Sequence, residues 1–394
     1  MHILYVFGGC SPTKYREYVE SKGLRVQQQS QKYNLLLAEG FAANGAKVSA
    51  ISSRPINRAV DKSLFFRAER DEENGVTYHY VSFVNVPALR KVTVFLNTFF
   101  RVLFARLEKE RVVVCDALNI AASLGTRFAS RLRGIKALGI VTDVPCHRPN
   151  NQRVSRAERI NLWLMKQFDG YLLLTEQMND IVNLKKRPHI VLEGHADVAM
   201  QQVENRLSDK HEKRVCLYAG TLRRIYGIEA LVRGFMEANI PNAELHIYGD
   251  GDFRSELEHI VTTCDSVKYM GVVPNSVIVE EELKATLLIN PRPTGEEYTK
   301  YSFPSKNMEY MASGTPVLTT KLPGMPGDHL PHVFLIEDET SKGIREALTR
   351  ILSQSSEKLH AFGTEAKRFV LENKNNCAQA KKVIAFMSDA QLSK

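Results

Sequence analysis

An α/β fold with parallel sheets, divided into two domains, is what this sequence predicts, and three observations carry the prediction. Residues 287–318 read as strand, polar loop, short helix and strand. Leu287-Leu288-Ile289 is an apolar run of buried-strand length ending at Asn290-Pro291, a helix starts near Pro304 and stops at Gly314, and Pro316-Val317-Leu318 opens another strand. Short apolar runs alternate with helically spaced segments along the rest of the chain. The length, 394 residues, is enough for two separate cores.

In chain order, residues 2–7 predict the first strand, running into Gly8-Gly9-Cys10, where a glycine pair lets backbone come close to a ligand. Residues 31–44 space Tyr33, Leu36, Leu37 and Phe41 as a helix does and end on Asn44-Gly45. Residues 47–51 form a strand, 52–74 a polar loop and 76–84 an alternating strand. Residues 87–111 then place Phe95, Leu96, Phe99, Phe100, Leu103 and Phe104 at helical spacing among Arg90, Lys91, Arg101, Arg106, Lys109 and Arg111. A basic, phenylalanine-rich amphipathic helix suits an anionic membrane surface; packing of the same face into the domain is the plain alternative.

Short buried strands at 112–115 and 139–141 flank a basic helix around 126–133, and the second ends in Thr142-Asp143-Val144-Pro145-Cys146-His147. Trp163 and Phe168 belong to an amphipathic helix and read as core, residues 170–175 and 189–192 as strands, and 201–213 as a polar linker. A strand at 214–219 leads into Gly220-Thr221-Leu222-Arg223-Arg224-Ile225-Tyr226-Gly227, a glycine- and arginine-bearing turn suited to a diphosphate. The strand 245–248 ends in Gly249-Asp250-Gly251-Asp252, with Asp252 at the start of a helix over 253–261. Residues 267–270 lead to Gly271-Val272-Val273-Pro274, Glu280-Glu281-Glu282 reads as a solvated face, and helices finish the chain from 341.

Composition narrows the classes. Six scattered cysteines argue against a disulfide framework or a zinc site and for a reducing cytosol. The start, MHILYVFGG, reads as a strand and not as a leader, and no window is long and apolar enough to span a bilayer. The net charge of +9 divides into +11 over residues 1–210 and −2 over 211–394, so one half is suited to a polyanion or membrane. No nucleic-acid-binding signature accompanies it.

The helix after Pro304 carries the chemistry. Its first turn offers unpaired N–H groups and a partial positive charge, with Ser305 and Lys306 adding donors for an anion. Glu309 is three residues beyond Lys306 on the same side, roughly 7 Å from the helix start, where a carboxylate accepts from ribose hydroxyls. An ordinary surface ion pair between the two is the competing interpretation.

The run SFPSKNMEYMASGTPV resembles the donor-site signature of glycosyltransferase family 4, retaining enzymes of GT-B fold with two facing Rossmann-like domains, and the Phe303-Pro304-Ser305-Lys306 variant is similar to capsule and exopolysaccharide transferases. The resemblance implies domains at 1–205 (acceptor binding) and 206–375 (nucleotide-sugar binding), with 376–394 as a helix crossing back to the first. It implies Glu309 on the nucleotide ribose, Tyr301 where the family has a glutamate facing the donor sugar, and Ser305, Lys306 and Arg292 at the diphosphate. Gly220, with Arg223 or Arg224, stands at the phosphate loop, Gly249 at the Gly-x-Gly turn, Val273 at the nucleobase, Gly9 across from the phosphates and Asp143 at the acceptor hydroxyl. The implied reaction moves a sugar from a nucleotide-diphosphate donor, UDP favoured, to a glycan or polyprenyl-diphosphate-linked acceptor. It uses no metal and no cofactor beyond that co-substrate, in the cytoplasm or peripherally at the inner membrane face. A sugar-nucleotide epimerase and a non-catalytic partner subunit are the rival readings, the second because Thr221, Tyr226 and Tyr301 stand at normally charged positions.

Overall fold

A computed structural model describes residues 1–22, 28–144 and 155–393. The chain divides into two compact units, Met1–His195 with Asn376–Lys394, and Ala196–Asn375. The first unit runs β1 (His2–Gly8), α1 (Pro12–Lys22), α2 (Gln28–Ala43), β2 (Lys47–Ser53), β3 (Phe65–Phe66), β4 (Glu69–Glu73), β5 (Val76–Tyr80), β6 (Phe83–Val84) and α3 (Pro87–Leu103). It continues with β7 (Arg111–Asp116), α4 (Ile120–Arg133), β8 (Ala137–Val141), α5 (Arg156–Met165), β9 (Gly170–Leu173), α6 (Asn179–Val182) and β10 (His189–Val191). Its main sheet has the order β10-β9-β8-β7-β1-β2-β5-β4, parallel except where β4 meets β5, and β3 pairs with β6 apart from it. Ile3, Tyr5 and Phe7 alternate onto one face and pack with Phe41, Val114 and Ile140, as a strand buried on both faces requires.

The second unit runs β11 (Arg214–Ala219), α7 (Ile228–Ala238), β12 (Ala243–Tyr248), α8 (Arg254–Ile260), β13 (Val267–Gly271), α9 (Asn275–Lys284), β14 (Leu287–Asn290), α10 (Ser305–Ser313), β15 (Val317–Thr320), β16 (Phe334–Ile336), α11 (Ser341–Leu352) and α12 (Ser356–Asn373). Its sheet is parallel throughout, in the order β13-β12-β11-β14-β15-β16. Both sheets therefore reverse direction beside their first strand, between β1 and β7 and between β11 and β14. Open α/β sheets leave a crevice at such points, outside the carboxyl ends of the strands. The last helix, α13 (Asn376–Asp389), packs with α2: Asn376 Nδ2 donates to Leu36 O at 3.1 Å and Asn44 Nδ2 to Cys377 O at 2.8 Å.

Several local expectations need revision. The second unit begins at Ala196 and not at 206, because the polar run after it is folded onto this unit. Asn205 Nδ2 donates to Ser313 O at 2.9 Å and Thr315 Oγ1 at 3.0 Å, and Lys210 Nζ reaches Leu283 O, Ala285 O and Thr315 Oγ1. The expected loop 52–74 contains β4, an edge strand paired only on one side, whose carboxylates bond Ser11 (2.6 Å) and Lys14 (2.5 Å). Glu280-Glu281-Glu282 is no solvated face: Glu282 is buried and Glu281 pairs with His211 at 3.1 Å. Trp163 is exposed on α5, while Phe168, beyond the helix, is core. Asp252 does not cap α8, whose N-cap is Phe253; its carboxylate instead accepts the Arg224 backbone N–H at 2.9 Å.

Candidate functional site

The loops leaving β11, β12 and β14 are tied into one surface at the strand ends of the second unit. Gly220 N–H donates to Tyr248 O (3.0 Å), Leu222 N–H to Asp250 O (2.9 Å) and Phe253 N–H to Leu222 O (2.9 Å). Gly249 sits at φ 131° with Gly220 O only 1.8 Å from where a Cβ would stand, so the two turns meet backbone to backbone and no side chain fits between them. Gly249 N–H also donates to Gly271 O at 2.9 Å, which brings half-buried Val273, two residues on, to the same edge. At Gly227, φ 78°, a Cβ would fall 2.1 Å from Pro291 O. The Gly220–Gly227 turn is thus pressed against the loop after β14, across the topological switch.

Arg292 lies in that contact. Its guanidinium stands 4.8 Å from the centre of the Tyr226 ring, its Nη1 donates to Ser302 Oγ at 3.3 Å, and its buried Nε has no partner among the described residues. Tyr226 occupies a position expected to be charged, yet it holds a cation in place by its ring face. The two arginines of the turn differ. Arg224 is locked between Glu229 (2.6 Å) and Glu256, so its charge is compensated; Arg223 stands 4.0 Å from Asp252 and 5.7 Å from the centre of the Tyr226 ring.

α10 begins after Pro304, which is the N-cap itself and not the first helical residue, and no side chain caps the N-terminus. Ser305, Lys306 and Tyr301 are half-buried there. Lys306 Nζ lies 4.0 Å from Glu309 Oε2 and 5.9 Å from the centre of the Tyr310 ring. A gap of that size is an ion pair without a hydrogen bond. The helix is rooted by residues the motif reading passed over. Tyr310 is fully buried; its hydroxyl accepts the Ala219 N–H at 3.0 Å and lies 3.3 Å from Ala219 O. Asn290 Nδ2 donates to Asn307 Oδ1 at 2.7 Å and Asn307 Nδ2 to Thr319 Oγ1 at 3.3 Å, a buried amide chain linking β14, α10 and β15. Polar residues at helical positions that should be apolar were the available signal: a buried amide or phenol needs a partner.

Gly220, Arg223, Gly249, Val273, Arg292, Tyr301, Ser305, Lys306 and Glu309 therefore all belong to the strand-end loops and α10 of one unit. Gly9 and Asp143 belong to the other: Gly9 is buried after β1, with its N–H donating to Ser52 Oγ at 3.2 Å, and Asp143 is exposed just past β8. His147 and Cys146 lie outside the described residues. His211, His246 and Glu281 bring ligand atoms within 4.8 Å of one another, but His211 precedes β11, at the opposite end of the strands from these loops.

Residues 213–354 match the family described as Glycosyl transferases group 1, so a glycosyltransferase group 1 domain makes up most of the second unit. No curated protein sequence matches the chain. Among solved structures, the catalytic domain of starch synthase IV from Arabidopsis thaliana, bound to ADP and acarbose, is similar over 100% of both chains at 10% identity (TM-score 0.68). Anabaena HepE in complex with UDP is similar over 99% of this chain and 100% of its own at 14% identity (TM-score 0.64). The lipopolysaccharide outer core galactosyltransferase WaaB is similar over 99% of each chain at 14% identity (TM-score 0.62). At these identities the likeness shows a shared fold, GT-B.

Proposed function

We propose that this glycosyltransferase transfers a sugar, with retention at the anomeric carbon, from a nucleotide-diphosphate donor to a hydroxyl of a glycan or polyprenyl-diphosphate-linked acceptor in bacterial surface-polysaccharide synthesis. The observation that carries the reading is the convergence on one switch point of an uncapped helix N-terminus, Lys306, Glu309 and an Arg292 held on Tyr226. UDP is the favoured nucleotide, supported by the UDP complex of HepE; WaaB, acting on the lipopolysaccharide outer core, supports the surface-glycan role.

In this scheme the bond from the anomeric carbon to the β-phosphate oxygen breaks, one to the acceptor oxygen forms, and the acceptor proton passes to the departing phosphate. Negative charge grows on the diphosphate, and the α10 N-terminus, Ser305, Lys306, Arg292 and Arg223 stabilise it as it grows. Glu309 accepts from the ribose hydroxyls, Tyr301 faces the sugar, the Gly220 and Gly249 turns admit the phosphates and Val273 meets the base, while Asp143 orients the acceptor hydroxyl. The scheme uses no resident metal or cofactor. The site of action is the cytoplasm, at the inner face of the membrane. Exposure of Leu96, Phe100 and Phe104 on α3 supports this, since only Val94, Thr98 and Val102 of that helix are buried.

Glu309→Ala and Lys306→Ala are expected to abolish transfer of a labelled sugar while leaving the melting temperature within a degree or two, since both side chains are partly exposed. Wild-type transfer in either variant refutes the site. A thermal-shift series with UDP, GDP and ADP identifies the base, because ligand at 100-fold over Kd adds about 2.7 kcal/mol.

A further inference from the structure

The first unit has a concavity that the donor reading does not use, about 400 Å³, at the carboxyl ends of its own strands. Ser53 at the end of β2, Asn119 just beyond β7 and Asn85 just beyond β6 line it with Arg58, Arg90 and Lys91; among the described residues that line it none is acidic. The cations are differently placed. Arg90 is fixed, its guanidinium donating to Arg54 O (2.9 Å) and Ile56 O and lying 4.7 Å from the centre of the Phe83 ring. Arg58 and Lys91 are exposed and have no acidic partner among the described residues. Two helices also begin at this wall: α3, whose N-cap Val86 offers no side-chain acceptor, and α4, capped by Asn119, whose Nδ2 donates to Ser53 Oγ at 3.1 Å. The exposed cations Arg58 and Lys91, the fixed charge of Arg90 and the starts of α3 and α4 border one volume, and together they form an electrostatic well for an anion.

The surface leading away from the pocket is apolar. Leu89, Val92, Leu96, Phe100 and Phe104 recur every three or four residues along α3 and are all exposed, so they form one stripe that begins beside Lys91. Phe128 and Leu132 on the neighbouring α4 are exposed as well, with Phe95 and Phe128 edge to face at 6.4 Å. At about 1.5 Å per residue α3 carries this stripe for roughly 25 Å, the reach of a long hydrocarbon chain.

We propose that the pocket bounded by Ser53, Arg58, Lys91 and Asn119 binds the phosphate or diphosphate of an amphiphilic, lipid-linked acceptor, whose hydrocarbon lies along the exposed stripe of α3. Calling the ligand an acceptor rests on the transfer reading above; the anion site and the stripe do not. Calorimetric titration of the Lys306→Ala chain, in which the donor helix is disabled, tests it with inorganic pyrophosphate and with farnesyl diphosphate. Both are expected to bind, farnesyl diphosphate about tenfold or more tighter because its chain leaves water. Adding Arg58→Glu and Lys91→Glu, both exposed and outside the packed core, is expected to weaken both probes by about tenfold or more. Phe100→Ser with Leu96→Ser is expected to erase only the farnesyl advantage. Equal affinity of the two probes, or binding that survives the charge reversals, overturns the proposal. So does pyrophosphate binding by the wild-type chain that vanishes with Lys306→Ala alone, an outcome that would leave the donor reading standing. Failure of Glu309→Ala to abolish transfer would sink the donor reading without touching these titrations.

Discussion

Tyr310→Phe isolates what positions α10 from what it carries. The substitution keeps the ring and removes one oxygen, whose hydroxyl receives the Ala219 N–H at 3.0 Å and points back to Ala219 O at 3.3 Å. Ala219 ends β11, and β14 pairs with that strand only at Cys216 and Leu217, so no sheet neighbour on that side replaces the phenol. Tyr310 is fully buried, which excludes water from the vacated position. A buried N–H left unsatisfied costs about 1–3 kcal/mol, so the expected loss is about 2 kcal/mol. For a unit of this size that lowers the melting temperature by roughly 4–8 °C. Scanning calorimetry or a dye-based melt reads the shift, and a nucleotide titration reads the second consequence, weaker binding as the α10 N-terminus loses its register with the Gly220 turn. Lys306→Ala is the contrast, with binding lost and melting temperature kept. A Tyr310→Phe chain that melts with the wild type refutes the claim that this phenol roots the helix.

Four further outcomes follow from the geometry. Gly227→Ala places a Cβ 2.1 Å from Pro291 O at a positive φ, so the turn and the β14 loop must separate; a loss above about 2 kcal/mol and weaker nucleotide binding are expected by melt and titration. Arg223→Ala is expected to reduce donor affinity about tenfold, as loss of a charge-assisted contact does. Arg224→Ala, whose charge Glu229 and Glu256 already compensate, is expected to leave donor affinity unchanged. His195 is half-buried, with Nε2 donating to Tyr33 O at 2.8 Å and a buried Nδ1 that has no partner among the described residues, and desolvation pulls its pKa from 6.5 down to about 4. The native state binds fewer protons than the unfolded one between these values. Stability is therefore complete above pH 6.5 and falls by about 2–3 kcal/mol on acidification to pH 4.5. Asp116, raised to about 6 by burial, works in the opposite sense, so the comparison is the pH dependence of wild type against His195→Gln. Identical dependence refutes the His195 contribution.

The sequence by itself determined the fold class and the placing of the candidate residues on strand-end loops. Continuous apolar runs such as Val112 to Cys115 and Leu287 to Ile289 suit only strands covered on both faces, and glycine-bearing turns after such strands mark the carboxyl edge. Local periodicity carries that information because neighbouring residues share an element. It does not carry strand order, so the switch point between β11 and β14, which decides that the Gly220 turn and the Arg292 loop adjoin, came only from the tertiary structure. The same holds for Trp163, read as core from its spacing and found exposed, and for Glu282, read as solvated and found buried. Periodicity shows that a face is apolar or charged; which surface lies opposite is decided by residues far away in the chain. Tyr310 and Asn307 show this most plainly, since each looks like an unremarkable helical residue until Ala219, Asn290 and Thr319 are brought against it.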